Sequence, residues 1–596
     1  MSPIIHPTSS LHRTRGVALL MVLMIVMAVT IIAAGFIGRT DVELGGGENI
    51  LMGVQMNHLA ESALEHARGR LLRPQDVPRP DVTTPFYWTG GTNLQLLVGS
   101  SDYYDVGVGL DPSDPNDLCR YKVTCEAFRL RNGLKVGRVG LSAVVRLDPA
   151  IALWTQTDTT FRQNWILHGD MRTQGNVINQ AATASLDGDV FATQLIGGCV
   201  GQTRTYEDVS LTWPPVTSTY IKPPTTRTDL ASDTLNTSPI GTRIWRRVGN
   251  LSLGGNVTVN GMLLVTGNLT VTGSASQIIC SKNLPALYVG GNLVLEDANN
   301  FTVQGLAVVD GNLRLRSHAS GVKFVGGLCL KGTIRETETD ASGYGNQIQI
   351  VGNPKWVPGA LGGALDLSND DGVEDYAQTS DSSTTLQLGN QYTLSLWMKA
   401  AAAQNDNAGL VVRCSPDGTL THWSLQFDTG ASKQLVVRHL HDTGNAWPTG
   451  ISLEEIAGIW HHVAVVWDGT TMTSYLDGVQ RASDAWAHTL GTGDGHLNLG
   501  AQGIVSSNTL YAGAIDDVRI YDCAWTTAEI AQIRDGQSLG NIIGHWRFNG
   551  PGSSVTILAD PVRASIVAYP GGMANPAVFW SPAADAFIRS VARKDP

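Results

Sequence analysis

Hydropathy divides the chain into two regimes. From Val17 to Ile37 it reads VALLMVLMIVMAVTIIAAGFI, 21 residues without a charge or a proline. At ~1.5 Å rise per residue, a helix of that length crosses the ~30 Å apolar layer of a bilayer. Met52 to Leu72, rich in Ala, Leu and Met, predicts a further helix that Pro74 stops, with Gly45-Gly46-Gly47 as the expected break between the two. After residue 80 the pattern turns to period two. Short stretches alternate apolar with polar residues between Gly, Asn, Asp and Pro, as strands and turns do. The expected fold class is mainly β behind an N-terminal transmembrane helix.

The β part is uneven. RYKVTCEAFRLRN and KVGRVGLSAVVRLDP predict two strands about the turn Asn132-Gly133, in a small β-rich domain at residues 75–150. Residues 151–352 repeat themselves: GNLSLGGNVTVNG, VTGNLTVTG, VGGNLVLED, VDGNLRLRS. Asn250, Asn256, Asn268 and Asn292 are spaced by 6, 12 and 24, multiples of six that Asn312 breaks. Short strands with Gly-Asn corners suit a β-solenoid; a string of hairpins in a sandwich is the alternative. Trp213 to Pro239, with WPP and KPP, reads as a loop or linker. Residues 353–540 run strand after strand and then give a short helix, TAEIAQIRDG, with Thr527 as its N-cap. In residues 541–596, SVTILADPVRASIVAYPGG alternates like a solenoid strand again. If residues 353–540 are an insertion, residues 553–570 pair with strands from 300–350.

Charge narrows the function classes. Only 16% of residues are charged, the net charge is −11, and no basic patch stands out, so nucleic acid is not an expected partner. His12, Arg13 and Arg15 precede the apolar run, and Asp41 and Glu43 follow it. That bias places the N-terminus in the cytoplasm and the bulk of the chain in the periplasm or outside the cell. The 7 cysteines include no C-x-x-C. In an exported protein, Cys119 with Cys125 is the best local disulfide pair and Cys414 with Cys523 a second. The loop Asp111 to Asp117, DPSDPND, offers oxygen ligands for Ca²⁺ or is a solvated turn. Glu336, Glu338 and Asp340 are expected in a polar loop after the last rung. His461 and His462 offer acid–base chemistry or have structural roles. No H-E-x-x-H, G-x-S-x-G, Walker loop or glycosidase strand motif occurs, so no enzyme is read.

The leader HRTRG ending at Gly16, the apolar run from Val17, and NHLAESALEHARGRLL from Asn57 to Leu72 together resemble the type IV pilins and type II secretion pseudopilins. The resemblance implies a cut between Gly16 and Val17 and a helix that packs with other pilins in a filament. It divides the N-terminus into a leader at 1–16, a transmembrane helix at 17–37 and a helical stalk at 38–74. Val17 stands where most members have Phe, and Met21 where most have Glu. Lack of that Glu is a feature of the tip-type K pseudopilin and of some X-type minor pilins. A plain signal anchor and a cleaved secretory signal are the other readings.

GALGGALDL from Gly359, YTLSLWMKA from Tyr392, GIWHHVAVVWDG from Gly458, SYLDGVQ from Ser474 and GAIDDVRIYDCAWTTAEI from Gly513 resemble, in order, the laminin-G-like jellyroll family. The implied fold is a concanavalin A-like sandwich at 353–540 acting as a binding module for a glycan or protein, often with calcium. On that resemblance, Asp375 and Asp516 either share a calcium or make hydrogen bonds that close the sheet edge. The leading expectation is a membrane-anchored, pilin-like adhesion protein. A polysaccharide-active hydrolase or lyase and a structural minor pseudopilin are the alternatives.

Overall fold

The computed structural model describes residues 13–594 apart from 75–84, 162–164, 180–183, 197–199, 204–211, 282, 297, 317–318, 339, 353, 369–371, 381–383, 432, 440–445, 549–553, 570–576 and 584. Its first element is one helix, Arg13–Leu72, of 60 residues, about 90 Å long at ~1.5 Å per residue. Gly16 and Val17 lie in its first turns. The expected break at Gly45-Gly46-Gly47 is absent, and the helix runs straight through. Three glycines cost only ~1 kcal/mol each relative to alanine. The helical ladder on either side, free of proline, carries across them because propagation is cheap once a helix is nucleated. Before Pro74 the last bond runs from the Arg73 N–H to the Gly69 carbonyl at 3.1 Å.

The two halves of this helix live differently. From Leu19 to Leu51 its large apolar side chains are exposed. From Met56 onward one face is buried, through Leu59, Ala60, Ala63, Leu64, Ala67 and Leu71, the spacing of a core-facing stripe. That stripe packs on an antiparallel sheet ordered Gly90–Leu94, Asp102–Leu110, Arg120–Arg131, Leu134–Asp148 and Asp585–Lys594. Its fifth strand thus comes from the far end of the chain. Asn132 and Gly133 form the expected tight turn, with φ of +52° and +79°.

The expected Cys119–Cys125 disulfide does not form; both thiols are free and buried. They stand six residues apart along the extended segment that becomes Arg120–Arg131, about 20 Å at ~3.4 Å per residue. A disulfide needs Cα atoms within ~7 Å. Cys414 and Cys523 are not joined in a disulfide either. The Cys414 thiol lies 3.0 Å from Nε2 of His496.

Beyond residue 150 the chain builds a parallel solenoid. In one column Leu251–Leu253, Leu269–Val271, Leu293–Leu295, Leu313–Arg316 and Ile334–Glu338 stack in register. Leu251, Leu269, Leu293 and Leu313 lie over one another, as do Leu253, Val271, Leu295 and Leu315, all inside the core. Parallel neighbours rule out the string of hairpins. At each corner an asparagine binds the next rung. The N–H of Asn268 donates to Oδ1 of Asn250 (2.9 Å), that of Asn292 to Asn268 (2.8 Å), that of Asn312 to Asn292 (2.9 Å) and that of Thr333 to Asn312 (2.9 Å). These steps are 18, 24, 20 and 21 residues. The multiples of six therefore do not hold. Asn312 belongs to the ladder, while Asn256 sits off it in a left-handed turn (φ +56°). Corners absorb insertions, so the rung repeats in space and not in residue count.

Trp213 to Pro239 is more than a linker. It holds Arg227–Asp229 and Thr234–Leu235, which pair in parallel with Arg243–Arg247 and Leu251–Leu253. At the other end Leu328–Leu330 pairs with Ile151–Thr155. Val555–Leu558 lies between Val322–Val325 and Trp165–His168, parallel to both. Segments from both ends of the sequence thus complete one stack.

Ile334–Glu338 is also where the solenoid meets the next unit. It is parallel to Leu313–Arg316 on one side and antiparallel to Ile348–Val351 on the other. The sheet continues through Tyr376–Thr379, His496–Leu499, Gly409–Cys414, Thr421–Phe427, Gln434–His439 and Ala446–Ser452. Facing it is a second sheet built on Gly513–Tyr521, Tyr392–Ala400, His461–Trp467 and Thr471–Leu476. The core between them includes Trp423, Trp467 and Trp546. Glu338 is accordingly strand and buried, not loop. Asp340 is buried too, and its carboxylate accepts the N–H groups of Asn346 and His545, each at 2.9 Å. The late helix, Thr527–Arg534, is capped by Thr526 and not Thr527: the Glu529 carboxylate takes the Thr526 N–H at 2.8 Å.

The asparagine corners can be tested. A Cβ on Gly311 would stand 2.5 Å from the Gly291 carbonyl oxygen, and Asn292→Ala strips the Asn312 N–H of its acceptor. Either change is expected to lower the unfolding midpoint of the detergent-solubilised chain, Asn292→Ala by ~1–3 kcal/mol. Asn256→Gly, off the ladder and already at positive φ, stays within ~0.5 kcal/mol of the parent.

Candidate functional site

Alternation gives the solenoid-linked jellyroll sheet two unlike faces. In Thr421–Phe427, Trp423, Leu425 and Phe427 point into the core, which leaves Ser424 and Gln426 on the other face. Register carries the same face across the sheet as a row: Gln378, Asn498, Val412, Ser424 and Arg438 lie opposite one another in turn. Beside this row lies a groove of about 450 Å³, within the size range of ligand sites. Asn407, Thr421, Gln426, Arg438 and Gln502 line it, together with Gly418 and Thr419 and with Gly503 and Ile504, the two glycines packed against each other.

The amides of the groove are locked to one another. Gln502 Nε2 donates to the Asn407 carbonyl (2.7 Å) and to Gln426 Oε1 (2.9 Å), and Gln426 Nε2 donates to Asn407 Oδ1 (3.2 Å). Ser424 donates to Gln426 Oε1 at 2.8 Å. Mutually bonded amides hold their remaining lone pairs and N–H groups in fixed directions, the preorganisation a polyhydroxylated ligand needs. Arg438 is different: its Nε is buried and has no hydrogen-bond partner. No Asp or Glu is among the lining residues.

The two aspartates expected from the sequence lie elsewhere. Asp516 is fully buried on Gly513–Tyr521. Its Oδ2 accepts the Leu361 N–H at 2.8 Å, closing the loop between Lys355–Pro358 and Gly363–Asp366, and its Oδ1 is buried without a partner. Burial, helped by the neighbouring Asp517 charge, pushes its carboxyl up to about 7. Asp375 is buried against Gly352 just before the strand Tyr376–Thr379 of the other sheet. Calcium takes six to eight oxygens. Among the described residues no three His, Cys, Asp or Glu side chains gather to hold a metal. Asn369, Asp370 and Asp371 lie outside the described residues. In the other acidic loop, Asp111 is occupied by the Ser113 N–H (3.1 Å) and Arg120 (2.9 Å).

The histidines sit within the scaffold. His461 Nδ1 is 2.8 Å from Asp477, which also accepts the His462 N–H at 2.9 Å. Asp477 and Gly478, with φ of +55° and +82°, form the expected hairpin turn. His462 Nε2 meets the Ser395 hydroxyl at 2.8 Å, and burial lowers its imidazole to about 4. A buried trio was not anticipated: Asp517 lies 2.8 Å from His545 Nε2 and 2.7 Å from Arg519. Burial lowers His545, so its neutral ring bonds the carboxylate while Arg519 carries the opposing charge.

The sequence pointed to none of the groove residues. The available signal was the alternation in HWSLQFD, which puts Ser424 and Gln426 opposite Trp423, Leu425 and Phe427.

Residues 370–531 match a family described as the concanavalin A-like lectin/glucanase superfamily, and this part of the chain is a domain of that type. No curated protein matches the chain. Among solved structures, domain 4 of an extracellular GH43 arabinanase from Geobacillus stearothermophilus, in complex with arabinotriose, is 19% identical. That match covers 34% of this chain and 98% of the other at a TM-score of 0.24. A putative carbohydrate-binding protein from Bacteroides ovatus is 15% identical over 39% of this chain and 59% of its own, with a TM-score of 0.24.

Asp516 generates a pH prediction. Its carboxyl is raised from an ordinary 3.8 to about 7, so the folded state holds a proton that the unfolded state gives up near pH 4. The stabilisation is complete below pH ~4 and is lost as pH rises through about 7, by up to ~4 kcal/mol. Asp516→Asn is expected to flatten that slope in thermal melts between pH 4.5 and 7.5.

Proposed function

We propose that this chain is a membrane-anchored, extracytoplasmic binding protein whose jellyroll takes a glycan in the groove floored by Gln426, Arg438 and Gln502. The observation that carries the reading is the interlocked amide floor on a sheet face that alternation would otherwise leave to solvent. Sugars are bound by planar amides, hydroxyls and guanidinium groups held in fixed geometry, and the groove supplies all three. Adhesion follows if the jellyroll is held at a distance from the membrane. The solenoid supplies the spacer, continuous in hydrogen bonding with the jellyroll sheet.

The N-terminal helix is long and apolar enough to cross a membrane. In this reading it is the anchor, with the N-terminus cytoplasmic and the solenoid and jellyroll outside. A pilin-like role rests on the continuity of Arg13–Leu72, with its exposed apolar first half and its sheet-packed second half. Such a helix can pack laterally with copies or relatives while the sheet holds the ectodomain upright. A minor pseudopilin with a structural task is the second reading that this geometry favours.

Two measurements test the proposal. Mass spectrometry of the mature protein is expected to find an N-terminus at Val17; an intact leader makes the helix a plain signal anchor. On a glycan array the purified chain is expected to bind an oligosaccharide, and Gln426→Ala is expected to weaken that binding by ~10-fold or more through loss of the amide network. Binding unaffected by Gln426→Ala removes the groove from the proposal, and release of new reducing ends moves the chain to the hydrolase class.

A further inference from the structure

Resting on the groove as the glycan site, we infer that it selects sugars bearing a carboxylate, that is uronic acids, and that Arg438 is the residue that reads the carboxylate. Arg438 stands on Gln434–His439 directly opposite Ser424, facing the groove that it lines. It is the one ionisable side chain among the lining residues. Its Nε is shielded from water and has no protein acceptor. A nitrogen that water cannot touch is out of a ligand's reach as well, so the part of the half-buried side chain open to a carboxylate is its Nη1–Nη2 edge.

The nearby acids are otherwise engaged. Asp406 pairs with Lys433. Asp417 accepts from the Thr419 N–H (3.1 Å) and hydroxyl (2.9 Å). Asp428 accepts the N–H groups of Gly430 (3.2 Å) and Gln434 (3.1 Å). Among the described residues no acid balances the charge of Arg438 within the groove, while the amides beside it are neutral and bonded to one another. That division suits a ligand with one anionic group among many hydroxyls. A guanidinium edge offers two parallel N–H groups, which match the two oxygens of a planar carboxylate. The neutral amides and Thr421 are left for ring hydroxyls.

The test uses the full detergent-solubilised chain and three probes in titration calorimetry: oligogalacturonate, its methyl ester and a neutral galactose oligomer. The acid is expected to bind at least ~10-fold more tightly than the ester, the ratio a charge-assisted hydrogen bond provides. Arg438→Gln is expected to bring acid and ester to equal affinity. Arg438→Lys, which keeps the charge and loses the fork, should fall between. Unchanged melting of both variants separates this loss from misfolding. Equal affinity for acid and ester in the parent, with loss of both in Gln426→Ala, overturns the carboxylate inference and leaves the glycan groove standing. A preference for acid that persists in Arg438→Gln also overturns it. Failure of all three sugars to bind the parent, or capture of a glutamate-rich peptide in their place, overturns the inference and the glycan reading together.

Discussion

A parallel rung satisfies its backbone only when another rung lies above and below it. Each strand of the solenoid is two to eight residues long and has few hydrogen bonds of its own, so the stack must be closed at both ends or leave peptide groups unpaired. The chain meets that demand with material from distant places. Ile151–Thr155 extends one column from Leu328–Leu330 to Asp170–Thr173, and Val555–Leu558 continues another from Val322–Val325 to Trp165–His168. In the third column the rung Ile334–Glu338 is met by an antiparallel strand, so the jellyroll itself supplies the missing partner. Solenoid and sandwich are therefore joined by a shared sheet and not by a tether.

That junction shapes the rest of the sandwich. Asp340 at its edge holds the N–H of His545, and His545 in turn holds Asp517, which is paired with Arg519. The polar groups at the back of the jellyroll thus bond one another near the solenoid, while the groove lies on the outward face of the other sheet. A hydrogen-bonded scaffold behind a preorganised polar floor is the arrangement expected of a site that recognises shape and hydrogen-bonding pattern.

How much of this was legible depended on whether the signal was local. The apolar run at Val17–Ile37, the Asn132-Gly133 turn and the five jellyroll stretches are each decided by neighbouring residues, and the structure has a strand, turn or helix at each. The misses were decided by cooperativity or by distance in sequence. Gly45-Gly46-Gly47 reads as a break because glycine lowers local propensity, yet the flanking ladder overrides it. Cys119 and Cys125 are near in sequence but far in space, because the strand between them is extended. The multiples of six counted residues where only stacked rungs mattered, which set Asn312 aside and let Asn256 in. The groove was invisible for a related reason. Asn407, Gln426, Arg438 and Gln502 come from four separate segments, and only strand register brings them together.

The sheet under the helix stalk closes with Asp585–Lys594, which runs from Asp148↔Asp585 to Gly140↔Lys594 along the edge of Leu134–Asp148. Asp585 follows Asp148 by 437 positions along the chain. During synthesis, everything in that interval must be made before the edge is sealed. Until then Leu134–Asp148 offers a long, unpaired backbone to any passing strand, and closing so wide a loop is slow. Arg68 on the stalk waits for the same event, because its guanidinium binds the Ala586 carbonyl at 2.7 Å. The latch fastens last, so a stalk seated firmly on its sheet reports that the solenoid and jellyroll between have already been delivered.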